Sequence, residues 1–192
     1  MIDFKFENSN PPTKGSLLIS EPFLTDQYFS RSVVFLCDHS EKGSFGFVLN
    51  NYLEAQLRDI LSEYPEMETR VSIGGPVDTS SLFFIHGLGD EIPGSMMIVE
   101  GLYIGGNFDS VRDVVANDPK KIESIRFFIG YSGWDENQLS REISENSWLV
   151  LNNIDTSLVL QTDQSDIWKD LMENLGGKFK IMSTFPVNPA DN

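Results

Sequence analysis

The chain has one cysteine and few basic residues, and each shortage excludes a class of protein. Cys37 is the only cysteine among 192 residues, so no internal disulfide can form, which is typical of a reducing compartment. Lysine and arginine number 14 against 29 aspartates and glutamates, which leaves a net charge of −15. This charge repels nucleic acid and anionic membrane surfaces. We therefore expect no direct contact with nucleic acid.

Long hydrophobic runs are also missing. No apolar stretch approaches the ~20 residues that a membrane-spanning helix needs. The first seven residues mix charged and apolar side chains, without the basic segment and apolar run of a secretory signal. We expect a cytoplasmic protein that has no membrane segment.

The remaining composition predicts one folded domain. Hydrophobic residues make up 40% of the chain and include 14 phenylalanines, which is enough to build a core. No proline-rich or glycine- and serine-rich linker divides the middle of the chain. We expect a flexible N-terminal arm over residues 1–13, a single domain over 14–186 and a C-terminal tail over 187–192.

Short apolar runs rich in β-branched and aromatic residues predict a series of strands. They fall at Ser16–Ser20, Ser32–Cys37, Phe45–Asn50, Val71–Ile73, Leu82–His86, Met96–Val99, Arg126–Ile129, Trp148–Leu151 and Leu158–Gln161, with another near Phe179–Met182. The second and third strands read as a hairpin with a loop over residues 38–44.

Four amphipathic stretches predict helices. They begin near Leu53, after Asn107 as N-cap, after Asp135 as N-cap, and at Ile167. The first carries Leu57 and Tyr64 on its apolar stripe and ends before Pro65, and the last stops at Gly176. Strands outnumber helices and do not alternate with them strictly, which favours an α+β domain with a mixed or antiparallel sheet.

The segment Gly130–Leu139 predicts a junction between a strand and a helix. Its glycines suggest a turn, and Asp135 with Gln138 three residues later matches a capping box. Trp134 and Leu139 flank the box and can form a hydrophobic staple. We interpret the segment as architectural.

A set of short motifs follows one order along the chain. They are Gly15–Pro22, Asp26, Phe29–Val34, His39, Gly43, Gly46–Asn50, Gly74–Val77, Leu82–His86, Tyr103–Gly106, Gly130–Trp134, Gln138-Leu139, Glu142-Ile143 and Trp148-Leu149. Together they resemble the bacterial YqgE/AlgH family from about Gly15 to Gly176. The resemblance implies an α+β fold whose bifurcated sheet curls into a pseudo-barrel, with about four helices packed against it. It implies no established reaction, although some members are labelled transcriptional regulators.

The chain departs from the family pattern at three places. Gln27 stands where a proline is common, Asn51-Tyr52 replaces an Arg-Pro pair, and Asp135-Glu136 replaces a Gly-Pro pair. The second change removes a cation beside Asn50. The third strengthens the predicted cap at Asp135.

Cys37 and His39 are the candidate catalytic residues. Side chains two apart in an extended strand point to the same side, and a thiolate beside an imidazole is a known nucleophile pair. The alternative is a buried apolar cysteine with a turn histidine that bonds the backbone, and we favour it. The chain has two histidines, and it lacks a Cys-x-x-Cys or His-Glu-x-x-His motif. We therefore predict neither a metal site nor a cofactor.

Five polar residues are predicted at the ends of the hairpin strands: Asp26, Arg31, Asp38, His39 and Asn50. They form either a salt-bridged turn network or a recognition corner for a small ligand or a partner protein. The sequence thus predicts a non-enzymatic binding protein or an indirect regulator. A hydrolase or transferase using Cys37 and His39 is one alternative, and a regulator that contacts DNA is another, opposed by the net charge. The oligomeric state stays open.

Overall fold

Strands dominate the computed structural model, which describes Asn8 and residues 10–61, 67–164 and 166–186. In these ranges the strands are β1 (Leu17–Ser20), β2 (Val33–Ser40), β3 (Gly43–Val48), β4 (Tyr52–Gln56), β5 (Arg70–Ile73), β6 (Val77–His86), β7 (Met96–Val99), β8 (Leu102–Ile104), β9 (Ile125–Trp134) and β10 (Trp148–Leu151). The helices are α1 (Leu57–Ile60), α2 (Phe108–Asn117), α3 (Gln138–Ser144), α4 (Ser157–Leu160), α5 (Ile167–Leu175) and α6 (Gly177–Met182), with 3-10 turns at Gly89–Glu91 and Pro119–Ser124.

Strand β9 is where the sheet branches. Its first half pairs in parallel with β5, with Val71 opposite Phe127. Its second half pairs antiparallel with β3, with Phe45 opposite Gly133. Strand β6 runs antiparallel along the other edge of β9 and leads to β8 and β7. The fold is therefore an α+β domain with a mixed, bifurcated sheet that does not close on itself. The α+β class predicted from the sequence is confirmed.

The two faces of the β1–β2–β3 branch bury different residues because side chains alternate along a strand. Leu17, Phe35 and Phe47 lie on one face in a core that also contains Trp168 of α5 and Met182 of α6. The opposite face carries Leu18, Val34 and Val48, which pack with Leu139 of α3. A third cluster joins β5 and β9 to α2 through Val71, Phe127 and Val111.

Two predicted strands are wrong. Leu158–Gln161 falls largely in α4, and Phe179–Met182 falls in α6. A short continuous apolar run fits a buried strand and a helical turn equally well, so its period does not decide between them. In α6 Met182 is buried while Ile181 is 43% exposed, so one side of a helical turn faces the core.

The first predicted helix is also largely wrong. Its first half is β4, which pairs with β5 through Tyr52 opposite Ser72, and only Leu57–Ile60 is helical. Tyr64 and Pro65 lie outside the described residues. The short strand β8 was not predicted, since three residues are too few to show an alternating pattern.

The Gly130–Leu139 junction differs in detail from its prediction. Strand β9 continues through Gly130 to Trp134, so the glycines do not form a turn there. Helix α3 begins at Gln138 and its N-cap is Asn137, not Asp135. The backbone N–H of Asp135 still donates to Gln138 Oε1 at 3.0 Å, which is half of a capping box. Trp134 and Leu139 pack in one core cluster, as a staple requires.

Helices α2 and α5 match their predictions. Asn107 caps α2 by accepting a hydrogen bond from Ser110 N at 2.9 Å, and Gly176 ends α5 with a φ of +68°. Most of the predicted arm over 1–13 and all of the tail over 187–192 lie outside the described residues. Asn8 is described, and its side chain bonds the backbone of Trp148 and Val150 on β10.

Candidate binding site

A β-bulge in the β2–β3 hairpin sets the direction of the side chains near its tip. Leu36 pairs with Gly46 and Asp38 pairs with Phe45, so Cys37 is an extra residue on β2. The strands extend further than predicted, and only residues 41–42 separate them. Because a bulge re-aims the residues that follow it, Asp38 comes to share a face with Phe45.

The five predicted polar residues do not form one corner. Asp38 and His39 lie near the tip of the hairpin, whereas Asn50 Oδ1 accepts a hydrogen bond from Val33 N at the opposite end of β2. His39 lies six positions after Val33 along the extended strand, a distance of about 20 Å. The set divides because a hairpin places the end of β3 beside the start of β2, far from the turn.

Arg31 and Asn50 hold the open end of the hairpin. Asn50 Nδ2 donates to the backbone oxygen of Arg31 at 2.8 Å, and Arg31 has a φ of +49°. The Arg31 guanidinium stacks over Trp168 at 4.9 Å and donates to the backbone oxygen of Phe185. Burial lowers the pKa of Arg31. These contacts join β2 to the C-terminal helices.

Asp26 has a local role at the same end of the hairpin. Its Oδ1 accepts hydrogen bonds from the backbone N–H groups of Tyr28 at 2.8 Å and Phe29 at 3.1 Å. This is the pattern of an Asx turn, in which a carboxylate satisfies nearby donors. The geometry at Asp26 therefore shapes the loop before β2.

The structure does not bring Cys37 and His39 together. Cys37 is 2% exposed inside the core, and its Sγ lies 3.9 Å from the backbone oxygen of Phe35. Burial raises the pKa of the Cys37 thiol well above its usual value, which disfavours the reactive thiolate. His39 Nδ1 instead pairs with Ser44 Oγ at 2.7 Å across the hairpin. Among the described contacts, no acidic group orients the His39 ring.

A cleft of about 880 Å³ opens on the Asp38 face of the hairpin. Its walls come from β3, the second half of β9 and both ends of β6, and Met96 and Ile104 close it from β7 and β8. The half-buried rings of Phe45, Phe83 and Tyr131 line it, with the fully buried Phe47 behind them and the exposed side chains of Val77 and Met96 at its edge. The volume lies within the range typical of small-molecule sites.

The aromatic walls of the cleft support one another. Tyr131 makes edge-to-face contacts with Phe45 and Phe83, at ring centroid distances of 6.1 and 5.6 Å. Phe47 lies 5.8 Å from Phe83 and stacks on Phe128 of the core at 4.5 Å. The walls are thus continuous with the buried core, and their positions are fixed without a ligand.

Gly133 keeps one side of the cleft open. It pairs with Phe45 and shares the face of Tyr131, yet it brings no side chain. A Cβ at this position would lie 3.3 Å from the Tyr131 ring and 3.8 Å from a methyl of Val77. Any longer side chain at Gly133 would therefore occupy the cleft.

The rim of the cleft carries charge of both signs. Asp38 and Asp135 are exposed, and their carboxylates make neither an ion pair nor a hydrogen bond among the described residues. Lys42 at the hairpin turn is the cation in the lining, and Ser40 and Gln138 add polar groups. The cleft thus has apolar walls and a polar edge with two free carboxylates.

Sequence reasoning placed Phe45 and Phe83 in strands and Tyr131 in the strand–helix junction, and it missed the cleft. Alternation shows that such residues face inward, but it does not show whether a helix covers them. Helices α5 and α6 pack on the β1–β2 part of this face and leave the β3–β9 part uncovered. His39 and Ser44 border a separate cavity of about 110 Å³.

The described residues offer neither a metal-binding cluster nor a membrane span. Within those ranges, no group of three or more histidines, cysteines, aspartates or glutamates is placed to hold a metal ion. No described helix is long and apolar enough to cross a membrane.

The fold and the site define a small α+β protein with a branched sheet and a preformed aromatic cleft. A family model described as AlgH-like matches residues 17–180, and the chain belongs to this family. The resemblance read from the motifs is therefore confirmed.

Relatives in bacteria match nearly the whole chain. A "UPF0301 protein" of Bacteroides thetaiotaomicron is 43% identical over 191 residues, covering 98% of this chain and 96% of the relative. A "UPF0301 protein" of Parabacteroides distasonis is 43% identical over 183 residues, covering 94% and 92%. These names describe no activity.

Two solved structures share the fold. Protein DIP2367 from Corynebacterium diphtheriae superposes with a TM-score of 0.76 at 24% identity, covering 94% of this chain and 95% of that one. The solution structure of AlgH from Pseudomonas aeruginosa superposes with a TM-score of 0.70 at 24% identity, covering 94% and 98%.

Proposed function

We propose that this protein acts by binding, without catalysis, and that the aromatic cleft is its binding site. The observation that carries the proposal is the uncovered continuation of the core at Phe45, Phe83 and Tyr131. Large apolar side chains that are partly exposed in one concave place mark ligand-binding surfaces more often than isolated exposed residues do. A ligand there would bury apolar area of its own together with these rings.

The shape of the cleft favours a ligand with a large apolar group. The edge-to-face contacts around Tyr131 fix the rings in place, so a ligand ring or branched alkyl group can lie against them without rearranging them. A preformed site loses little conformational entropy on binding. Regulation, in this proposal, is indirect: the ligand changes what the protein does with a partner.

The catalytic alternative has less support. The thiol of Cys37 is buried, and the His39 ring bonds Ser44, with no acidic partner among the described residues. A nucleophile, a base and a group that orients the base are the usual set. A regulator that contacts DNA is opposed by the net charge of −15.

Binding can be tested with the uncharged probe 3-phenylpropan-1-ol and two-dimensional NMR of the ¹⁵N-labelled protein. We expect saturable shifts of the backbone amides of Phe45, Tyr131 and Gly133, because these residues line the cleft. Gly133→Leu should abolish the shifts, since its side chain would fill the space beside Tyr131.

The matched control is Ala116→Leu, which adds the same exposed side chain on α2, outside the cleft. This variant should bind the probe as the parent does. Shifts that are absent in the parent, scattered over the whole surface, or unchanged in Gly133→Leu would refute the cleft as the site.

A further inference from the structure

The rim of the cleft indicates the charge of its ligand. Resting on the proposed function, we propose that the cleft takes an organic cation, whose apolar body lies among the aromatic rings and whose ammonium or guanidinium group reaches Asp38 and Asp135. The ligand class is thus an amphipathic amine or guanidine with a ring or a branched alkyl group.

The first argument is the state of the two carboxylates. Lack of a partner is common among the exposed acids of the described structure: Asp90 and Glu145 have none, whereas Glu91 pairs with Lys121. Asp38 and Asp135 also lack a partner, and they differ from those acids because both line the cleft. A carboxylate at the edge of an apolar surface forms a strong charge-assisted hydrogen bond with a cation whose apolar part binds that same surface.

The second argument is the placement of Asp38. The bulge at Cys37 turns Asp38 onto the face of Phe45, its cross-strand partner. Without the extra residue, alternation would put Asp38 on the opposite face. A negative charge therefore stands directly beside an aromatic ring, and cations are attracted by both.

The third argument is the balance of charge. Among the described residues that line the cleft, Lys42 is the one cation, against the two carboxylates. The whole chain carries a net charge of −15, which raises the local concentration of cations and repels anions. The two carboxylates at the rim and the net negative charge of the chain would both repel an anionic ligand.

The experiment compares three probes of nearly equal size: 3-phenylpropylamine, 3-phenylpropan-1-ol and 3-phenylpropanoate. Dissociation constants are measured by NMR titration of the full chain at low salt. We expect the amine to bind more tightly than the alcohol by roughly tenfold and the carboxylate to bind more weakly than the alcohol, consistent with charge pairs at an exposed rim. Added NaCl should reduce the advantage of the amine.

The variants Asp38→Asn and Asp135→Asn remove one charge each and keep the size of the side chain. Each should weaken amine binding by roughly threefold and leave alcohol binding unchanged. Asp90→Asn is the matched control, because Asp90 is exposed and lies outside the cleft lining. It should leave the affinities of all three probes unchanged.

The outcomes separate this inference from the proposed function. If the alcohol and the amine bind equally well and both rim variants have no effect, the cleft is a site for uncharged apolar ligands and the cationic class is wrong. If the carboxylate binds best, the class is also wrong. If no probe binds, the proposed function itself fails.

Discussion

Asp38 and Phe45 face each other across the β2–β3 hairpin, one as a free carboxylate and the other as an aromatic wall of the cleft. The pairing exists because Cys37 is an extra residue that forms a bulge. The same bulge leaves the Cys37 thiol in the core and His39 bonded to Ser44. One irregularity in a strand therefore separates the candidate catalytic pair and builds one edge of the candidate binding site.

The accessibility of Cys37 can be measured directly. We expect native protein to react with 5,5′-dithiobis(2-nitrobenzoic acid) far more slowly than protein in denaturant, because the thiol is buried and its raised pKa disfavours the thiolate. The absorbance change on reaction with the reagent, followed over time at neutral pH, gives both labelling rates. Rapid labelling of the native protein would show that Cys37 is exposed, and it would revive the cysteine hypothesis.

His86 should make stability depend on pH. The residue is fully buried, its Nε2–H donates to the backbone oxygen of Gly105 at 3.2 Å, and its Nδ1 accepts from Leu88 N at 3.2 Å. Burial lowers the pKa of His86 from 6.5, and the bond to Gly105 offsets part of that shift.

The sign of this effect follows from proton binding. With a lower pKa in the folded state, the unfolded chain takes up the proton first as pH falls, so the free energy of unfolding decreases below about pH 6.5. Urea unfolding at several pH values should show a steeper loss in the parent than in His86→Gln, which cannot titrate. Equal slopes would contradict the prediction.

Arg126 is a buried cation that joins several elements through backbone oxygens. Its guanidinium donates to the backbone oxygens of Leu49, Val159 and Gln161, and it lies 5.3 Å from the ring of Phe128. Burial is the main cause that lowers its pKa to about 10.

Arg126→Met should therefore destabilise the fold by about 3–5 kcal/mol, because it leaves buried carbonyl groups without donors. Arg126→Lys keeps the charge but offers fewer donors, so we expect a smaller loss. Urea unfolding measures both. A methionine variant as stable as the parent would show that these hydrogen bonds contribute nothing net.

Glu142 joins the two tryptophans on the α3 side of the sheet. Its Oε2 accepts from Trp134 Nε1 at 2.9 Å and Trp148 Nε1 at 2.8 Å, and its Oε1 accepts from Gln138 at 2.9 Å. Glu142→Gln should cost about 1–3 kcal/mol, since an amide cannot accept all three hydrogen bonds as a carboxylate does.

The matched control for Glu142 is Glu145→Gln, which makes the same substitution at an exposed position after α3. Thermal unfolding followed by tryptophan fluorescence compares the two variants. A Glu142 variant that melts with the parent, or a Glu145 variant that loses as much stability, would contradict the structural role given to Glu142.

Much of the fold could be predicted from local patterns. The run Val33–Leu36 is rich in β-branched and aromatic residues and forms the predicted strand, with its side chains divided between two covered faces. Asn107 caps α2, as predicted, by accepting a hydrogen bond from Ser110 N. The errors came where the pattern is short or ambiguous. Tyr52–Gln56 has helix-compatible spacing, yet pairing with β5 makes it a strand.

The candidate site could be predicted only in part. Asp38 and His39 were singled out for their polarity beside a strand, and Asp38 lies at the cleft. The cleft itself needs β3, β6 and β9, which are distant in the sequence, and it exists because no helix of the described ranges covers their shared face.

The family, the α+β class and the strongly acidic character follow from the chain alone, because motifs, local periodicity and composition need no long-range contacts. Three features depend on the three-dimensional fold: Cys37 and His39 lie apart, the predicted polar corner divides, and Asp38 lies beside Phe45. These depend on a bulge and on strand pairing between remote segments, and long-range pairing is set by how the whole core packs rather than by any local pattern.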